Sequence, residues 1–365
     1  MKRLFTLISW AAGLLLLASA HGGHIDPRSW ALPAILCLAL PVISLLVGGW
    51  LVVCLIARKW RAAGVVALCI ALSWPALRLS APFKGERAVE DADMSFSVMT
   101  YNVKGFEGDG ETMRYILRQN ADFVLLQEGA LGPHDFTDLP QIQPMKAEIE
   151  QKYPYHSHGY HDLIILSKRP YTVYQDTTLK HGFGSPDDIN SEYHFYAKAF
   201  DVDIQGTPLR IINLHLQSIG LSSDDKQLYR RLTGNRLQGR ADVSQVKHSL
   251  MSKLKRAFQR RANEAQLVRA VLDDPSTPAN VIVCGDFNDT PGSFSYRTIC
   301  GHDMHDAFAE CGWWPANTYN SDRFYFKIDH ILYRGNMQAT SIARHRAGDS
   351  DHYPQIATFA LRMHD

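Results

Sequence analysis

The sequence predicts an α/β or α+β sandwich preceded by a group of apolar helices long enough to cross a bilayer. Three observations lead there. Apolar runs crowd the first eighty residues. From about Phe96 onward, short alternating or apolar runs bounded by Gly, Asn, Asp and Pro exchange with stretches of helical spacing. Several of those short runs end on a polar residue, as strands do when one rim of a sheet carries chemistry. With 365 residues and 46% hydrophobic content the chain can bury a substantial core. Its formal net charge of +1 selects no class of partner.

The first element group comprises Leu4–Ala20, Trp30–Ala57 and Ala62–Ala81, each near or above the roughly 20 residues needed to cross a bilayer. The third is the weakest, because it contains Pro75 and Arg78. Globular helices are usually amphipathic, whereas these runs are apolar all round, so they read as two or three transmembrane helices within residues 1–82. Lys2 and Arg3 followed by "LLLLASA" also fit a secretory signal. The loop "HGGHIDPRS" holds one Arg, while "ARKWR" holds Arg58, Lys59 and Arg61. Retention of positive charge in the cytoplasm then predicts a multi-pass protein of the cell inner membrane, with everything after the third run on the periplasmic side. Cys284 sits in an apolar run and reads as inert, while Cys300 and Cys311 are candidates for pairing in an oxidising compartment.

Residues 83–95 read as a polar linker. "FSVMTYN" then alternates as a strand ending on Asn102, "ETMRYILRQNA" has helical spacing, and "DFVLLQE" is an apolar strand ending on Glu128. "DLIILS", "YHFYAKAFDVDI" and "LRIINLH" are further strands, the last closing on His215. "KLKRAFQRRANEAQLVRAVL" carries a helical stripe through Leu254, Phe258, Ala262, Ala265, Val268 and Val271. "NVIVCGD", a short helical region, "KIDHILY" and a strand after "GDSDHYP" complete the order.

The stretch "NVIVCGDFNDTPGS" sharpens the question of the rim. Asp286 and Asn288 can simply bond their own backbone in a turn, or they can present a carboxylate and an amide at the edge of a sheet. Glu128, Asp286, Asp329 and Asp351 gathered together would repel one another, and a hard divalent cation held by oxygen, Mg²⁺ or Mn²⁺, offsets that repulsion better than zinc.

"MTYNV", "LLQE", "IILSKRP", "NLH", "GDFNDTP", "KIDHIL" and "SDHYP" occur in the order found in the endonuclease/exonuclease/phosphatase superfamily. The sequence resembles that superfamily, which includes proteins similar to DNase I, abasic-site endonucleases, inositol-polyphosphate phosphatases and neutral sphingomyelinases, in a membrane-anchored bacterial form. The resemblance implies a four-layer α/β sandwich, two packed sheets flanked by helices, with residues 96–365 as the catalytic domain. It implies metal ligation by Glu128 with Asn102 beside it, and a second-metal or supporting place for Asp351. It implies that Asp286 orients and deprotonates the attacking water and that Asn288 donates to a phosphate oxygen. His352, fixed by Asp329, would bond the phosphoryl oxygens, and His215 occupies a phosphate-contacting or leaving-group position. Lys104 stands where some nucleases carry an acid, and is a candidate contact for a substrate anion.

The activity so implied is metal-dependent hydrolysis of a phosphoester. A phospholipid, a lipid-linked phosphate or a sugar phosphate suits an anchored enzyme; extracytoplasmic cleavage of DNA or RNA is the alternative, and a non-catalytic binding protein on the same scaffold is a further one. No protein partner is implied. His156, His158 and His161 fit no common zinc spacing. His330 adjoins Asp329 but points to the other side of its strand. From Arg210 to Ala270 there are thirteen Lys or Arg against four Asp or Glu, with "RRLTGNRLQGR" and "KLKRAFQRR" the densest pieces. That stretch suits nucleic-acid phosphates, anionic headgroups or a solvated face, and it lacks the interleaved aromatics of a single-strand stacking platform.

Overall fold

The computed structural model describes residues 2–89, 92–129, 135–157, 162–174, 196–220, 240–321 and 324–362. His158, His161 and most of "RRLTGNRLQGR" lie outside the described residues. The chain forms two compact units, Met1–Ala81 with Ile219–Asn263 and Asp289–Thr298, and Pro82–Ser218 with Glu264–Asn288 and Ile299–Asp365.

The first unit is built on helices α1 (Lys2–His21), α2 (Leu32–Leu38), α3 (Leu40–Ile56) and α4 (Trp60–Ser80). α1 and α4 are each long and apolar enough to span a membrane, and α2 with α3 supply a third span if that pair, bent by 68°, acts as one. The bend has a sequence cause. Pro41 stands in the first turn of α3, where its missing N–H costs nothing but cannot continue the previous helix. Pro75, by contrast, sits inside α4 without ending it. Leu16, Leu40, Ile43, Val47 and Val66 pack together in the middle of the group. Leu45, Leu46 and Ile56 point outward and are 78%, 69% and 79% exposed, an arrangement that water penalises and hydrocarbon does not. After α1 the chain turns through Gly22–His24, and a Cβ at Gly23 would come within 1.8 Å of the Gly292 carbonyl oxygen. The same stretch as Gly292 is pinned by Asp289, which accepts from Ser295 Oγ at 2.7 Å and from Arg261 Nε at 3.3 Å.

The second unit is a sandwich of two six-stranded sheets. One contains β1 (Met94–Asn102), β2 (Phe123–Gln127), β3 (Tyr155–His156), β4 (Ile164–Ser167), β13 (Met337–Arg344) and β14 (Gln355–Leu361), in the order β13-β14-β1-β2-β4-β3. The other contains β5 (Tyr171–Val173), β6 (Tyr196–Ile204), β7 (Thr207–His215), β8 (Asn280–Asp286), β9 (His305–Asp306) and β12 (Asp329–Arg334), in the order β5-β6-β7-β8-β12-β9. A separate hairpin pairs β10 (Tyr319–Ser321) with β11 (Phe324–Phe326).

Phe96, Val98, Phe123 and Leu125 of the first sheet meet Phe200, Ile211, Ile282 and Ile331 of the second in one buried cluster. On the first sheet's other face, Met113 and Ile116 of the helix Glu111–Gln119 and Ile149 of Lys146–Lys152 cover Met99, Tyr101, Val124 and Leu126. Beside the second sheet the helix Arg240–Asp273 buries Ala265, Val268, Val271 and Leu272, and Arg334 of β12 donates to the Leu272 carbonyl at 2.7 Å. The expected four layers are therefore present.

Cys300 and Cys311, whose pairing the sequence leaves open, are not bonded to each other; their thiols donate to the carbonyls of Met304 and Ala339 at 3.3 and 3.1 Å. β13 gave no period-2 signal because its register shifts between Ala339 and Ser341, which breaks the alternation. His156 is a core residue, with Nδ1 donating to the Tyr153 carbonyl at 2.9 Å and its ring edge-on to Phe136.

The Gly285-Asp286 step ends β8 in a conformation with φ 140 at the glycine, and a Cβ there would lie 1.9 Å from the Leu214 carbonyl oxygen of β7. Gly285→Ala is expected to destabilise the protein by on the order of 3 kcal/mol, through that overlap and the φ. Thermal melting of the full chain in detergent checks it, and an unchanged midpoint would remove Gly285 from the reasons β8 closes where it does.

Candidate active site

Sheet register gathers the predicted residues. β7 runs parallel to β8 with His215 opposite Asp286, and β8 runs antiparallel to β12 with Asp286 opposite Asp329. Directly opposed residues face the same side of a sheet, so His215, Asp286 and Asp329 form one row across three strands. His330, the next residue, faces the other way, buried edge-on to Phe287 with Lys327 Nζ 3.0 Å from its Nδ1. In the first sheet β1 and β2 are parallel, with Asn102 opposite Gln127, so Asn102 and Glu128 leave the same edge.

Asn102 joins the two rims. Its Nδ2 donates to Glu128 Oε1 at 2.9 Å and to Asp286 Oδ2 at 3.1 Å, while its Oδ1 accepts from the Lys104 N–H at 3.1 Å. Glu128 itself has φ 53, a left-handed conformation costly for a non-glycine residue, secured where its carbonyl accepts from Gly105 N at 2.7 Å. One layer below, Gln127 Nε2 donates to Asn213 Oδ1 at 2.7 Å, and Asn213 Nδ2 donates to the Leu126 carbonyl at 2.9 Å. Buried amides thus tie β2 to β7 directly under the site.

Both histidines are anchored by carboxylates. His352 Nδ1 donates to Asp329 Oδ2 at 3.0 Å, and its Nε2 lies 3.6 Å from Asp286 Oδ2. His215 Nδ1 donates to Asp162 Oδ2 at 3.1 Å, and its Nε2 lies 3.8 Å from both Glu128 and Asp286. Burial opposes charge on His352, but Asp329, Asp286 and Asp351 outweigh it and push the imidazole up to about 10. For His215 burial is likewise overcome by Asp162, Asp286 and Glu128, and the ring is pushed up to about 9. Burial raises Asp286, His352 pulls it back, and Asp329 raises it again.

Asp286, Asp329 and His352 offer atoms within 4.8 Å of one another, close enough in principle for a metal. A cation at the third donor would compete with a proton, because Nδ1 bonds Asp329 and the surrounding acids favour the protonated ring. Oxygen donors suited to a hard divalent ion are found instead on Glu128 and Asp286, brought to one amide by Asn102.

The remaining predicted residues are nearby in different senses. Asn288, with φ 50, donates through Nδ2 to the Leu216 carbonyl at 2.9 Å and through its N–H to Asp286 Oδ1 at 2.8 Å, leaving a second amide proton. The turn in "GDFND" is therefore an Asx turn, with the Asn288 side-chain amide bonded to the carbonyl of Leu216, the residue that follows β7. Asp351 is half-buried, and its charge adds to those favouring protonated His352 and Lys104. Lys104 pairs with Glu107 at 3.0 Å and is 39% exposed.

Asp162, Thr318 and Tyr319 escaped the sequence reading. Asp162 is placed by the antiparallel pairing of β2 and β4, which brings the residues flanking them together, as in the bond from Gly129 N to the Asp162 carbonyl at 3.0 Å. Thr318 Oγ1 accepts from the N–H groups of Ile328 and Asp329, both at 3.0 Å, and Tyr319 sets its ring 5.0 Å from that of His352. Neither had a local signal.

The Endonuclease/Exonuclease/phosphatase family model matches residues 99–352, and the model of a domain of unknown function (DUF8431) matches residues 2–80. No curated protein matches the chain. Among solved structures, D. rerio TDP2 complexed with single strand DNA product is similar at 17% identity, covering 73% of this chain and 99% of that one with TM-score 0.48. An endonuclease/exonuclease/phosphatase family protein from Bacteroides thetaiotaomicron is similar at 16% identity, covering 74% and 99% with TM-score 0.46. Sphingomyelinase C from Streptomyces griseocarneus is similar at 18% identity, covering 73% and 99% with TM-score 0.42.

The electrostatics predict a shift in one variant. With Asp329→Asn the largest opposing charge on His352 is gone and burial gains ground, so its titration is expected to fall well below about 10. Imidazole nitrogen NMR of the metal-free protein measures this. An unmoved His352 titration would mean that Asp329 is not its charge partner.

Proposed function

Because this chain belongs to the endonuclease/exonuclease/phosphatase family, we propose that it is a membrane-anchored, Mg²⁺- or Mn²⁺-dependent hydrolase of phosphoesters. The observation that carries the site assignment is the shared amide. Asn102 bonds a carboxylate from each sheet beside the Asp329–His352 pair.

Glu128, with Asn102 next to it, would hold the cation, and Asp351 contributes supporting negative charge. When bound, such a cation polarises a phosphoryl oxygen and offsets charge on the leaving group. Asp286 receives a proton from the attacking water, and the Asn288 N–H on its Oδ1 fixes the direction in which Oδ2 points. Protonated His352 directs Nε2–H at the phosphoryl oxygens, because Asp329 occupies Nδ1. His215 supplies a second cation, oriented by Asp162, for a phosphate oxygen or the departing group. The free amide proton of Asn288 donates to the phosphate. Lys104 is placed to meet a further anionic group of the substrate.

α1 and α4 support integration into the membrane, and the positive charge of "ARKWR" supports a periplasmic face for the hydrolase. An anchored enzyme meets lipid-borne phosphates at high local concentration, so a phospholipid, a lipid-linked phosphate or a sugar phosphate is the proposed substrate class.

The full chain in detergent is expected to hydrolyse at least one of sphingomyelin, phosphoinositides or a bis-aryl phosphate with Mg²⁺, and to stop in EDTA. Activity confined to plasmid DNA and RNA would overturn the lipid reading, and equal rates in EDTA would overturn the metal. Asp286→Asn is expected to lower kcat about 10²- to 10⁴-fold with an unchanged melting temperature. Protease added to intact spheroplasts should digest residues 96–365; their full protection would reverse the topology.

A further inference from the structure

Phe83, Trp313 and Trp314 are 52%, 65% and 62% exposed and lie together. Phe83 meets both indoles edge to face, at 5.8 and 5.7 Å between ring centroids. The backbone fixes the cluster as firmly as the rings do. Phe83 pairs with Trp313 in an antiparallel bridge, Trp314 N donates to the Pro82 carbonyl at 2.9 Å, and Lys84 and Gly85 both donate to the Gly312 carbonyl, at 3.1 and 3.2 Å. Trp314 is held at φ 71, a left-handed conformation that a bulky side chain adopts only when its surroundings impose it.

Nothing in the proposed chemistry uses these rings. Three adjoining exposed aromatics mark a surface that meets something other than water. Their place in the chain says what. Phe83 follows Ser80, the last residue of α4, by three residues, which span at most about 11 Å even when fully extended. A bilayer has an interfacial layer of roughly 5–8 Å on each side of its hydrocarbon, the region in which indole rings concentrate. We propose that Phe83, Trp313 and Trp314 are a membrane-interface anchor, seated among lipid headgroups where α4 leaves the bilayer.

The consequence is mechanical. The bonds between 82–85 and 312–314 mean that the loop bearing the tryptophans follows the residues that leave α4, so the anchor holds both segments at the headgroups together. The inference rests on α4 crossing a bilayer, and the test separates the two.

The full chain, labelled with fluorotryptophan, is placed in nanodiscs of phosphatidylethanolamine and phosphatidylglycerol. Trp313→Phe and Trp314→Phe, made singly, assign the two fluorine resonances. Doxyl-labelled lipid with its spin label just below the headgroup is expected to remove most of the intensity of both, and a soluble gadolinium chelate to leave them nearly unchanged. Broadening by the chelate, with no effect of the doxyl lipid, would overturn the anchor. Trp10→Phe and Trp74→Phe, made likewise, assign the resonances of the tryptophans within α1 and α4, which report on the premise in the same spectra. If they too are broadened by the chelate the spanning reading fails; if they respond to lipid while Trp313 and Trp314 do not, the anchor alone fails.

Discussion

The amide of Asn102 is the constraint on which the site depends. Glu128 leaves the first sheet and Asp286 leaves the second, and two carboxylates approaching across a water-poor rim would separate unless something positive or donating stood between them. Asn102 Nδ2 donates to both. Its own position is set by β1, whose neighbours β2 and β14 fix it on either side. The Gln127–Asn213 bond below prevents the sheets from sliding at that level. Truncating Asn102 would therefore remove more than a ligand; it would release the distance between the sheets' chemical edges.

Charge balance follows from the same geometry. Glu128, Asp162, Asp286 and Asp329 face two imidazoles that their fields hold protonated. Four acidic side chains thus face two imidazoles, an excess of acidic groups that a hard divalent cation would offset. Each rim carboxylate has an imidazole near it, His215 Nε2 lying 3.8 Å from Glu128 and His352 Nε2 3.6 Å from Asp286.

Most of this was legible in the sequence because strand ends are marked twice, once by the close of an apolar run and once by the polar residue that follows. Asn102, Glu128, His215 and Asp286 were found that way. Parity along a strand separated Asp329 from His330 correctly. What could not be read were contacts made across register rather than along the chain. Asp162 reaches His215 only because β4 returns beside β2, and Thr318 supports Asp329 from a loop with no periodicity. The bulge hid β13. Pro75 looked like a reason to doubt the third span, yet α4 continues through it, as apolar helices packed against neighbours tolerate.

The position of Asp286 between two imidazolium ions bears on its fitness as a base. A carboxylate buried alone would be protonated at neutral pH and useless for accepting a proton. One locked into a short ion pair would be ionised but too weakly basic. At Asp286 burial raises the proton affinity, and His352 at 3.6 Å and His215 at 3.8 Å pull it part of the way back without donating a close hydrogen bond. Each histidine's short bond goes to its own acid, Asp329 or Asp162, so the field at Asp286 is supplied from a distance. Sheet register is what keeps that distance. His215, Asp286 and Asp329 occupy a single row, and strand spacing holds neighbours in the row about 5 Å apart at the backbone.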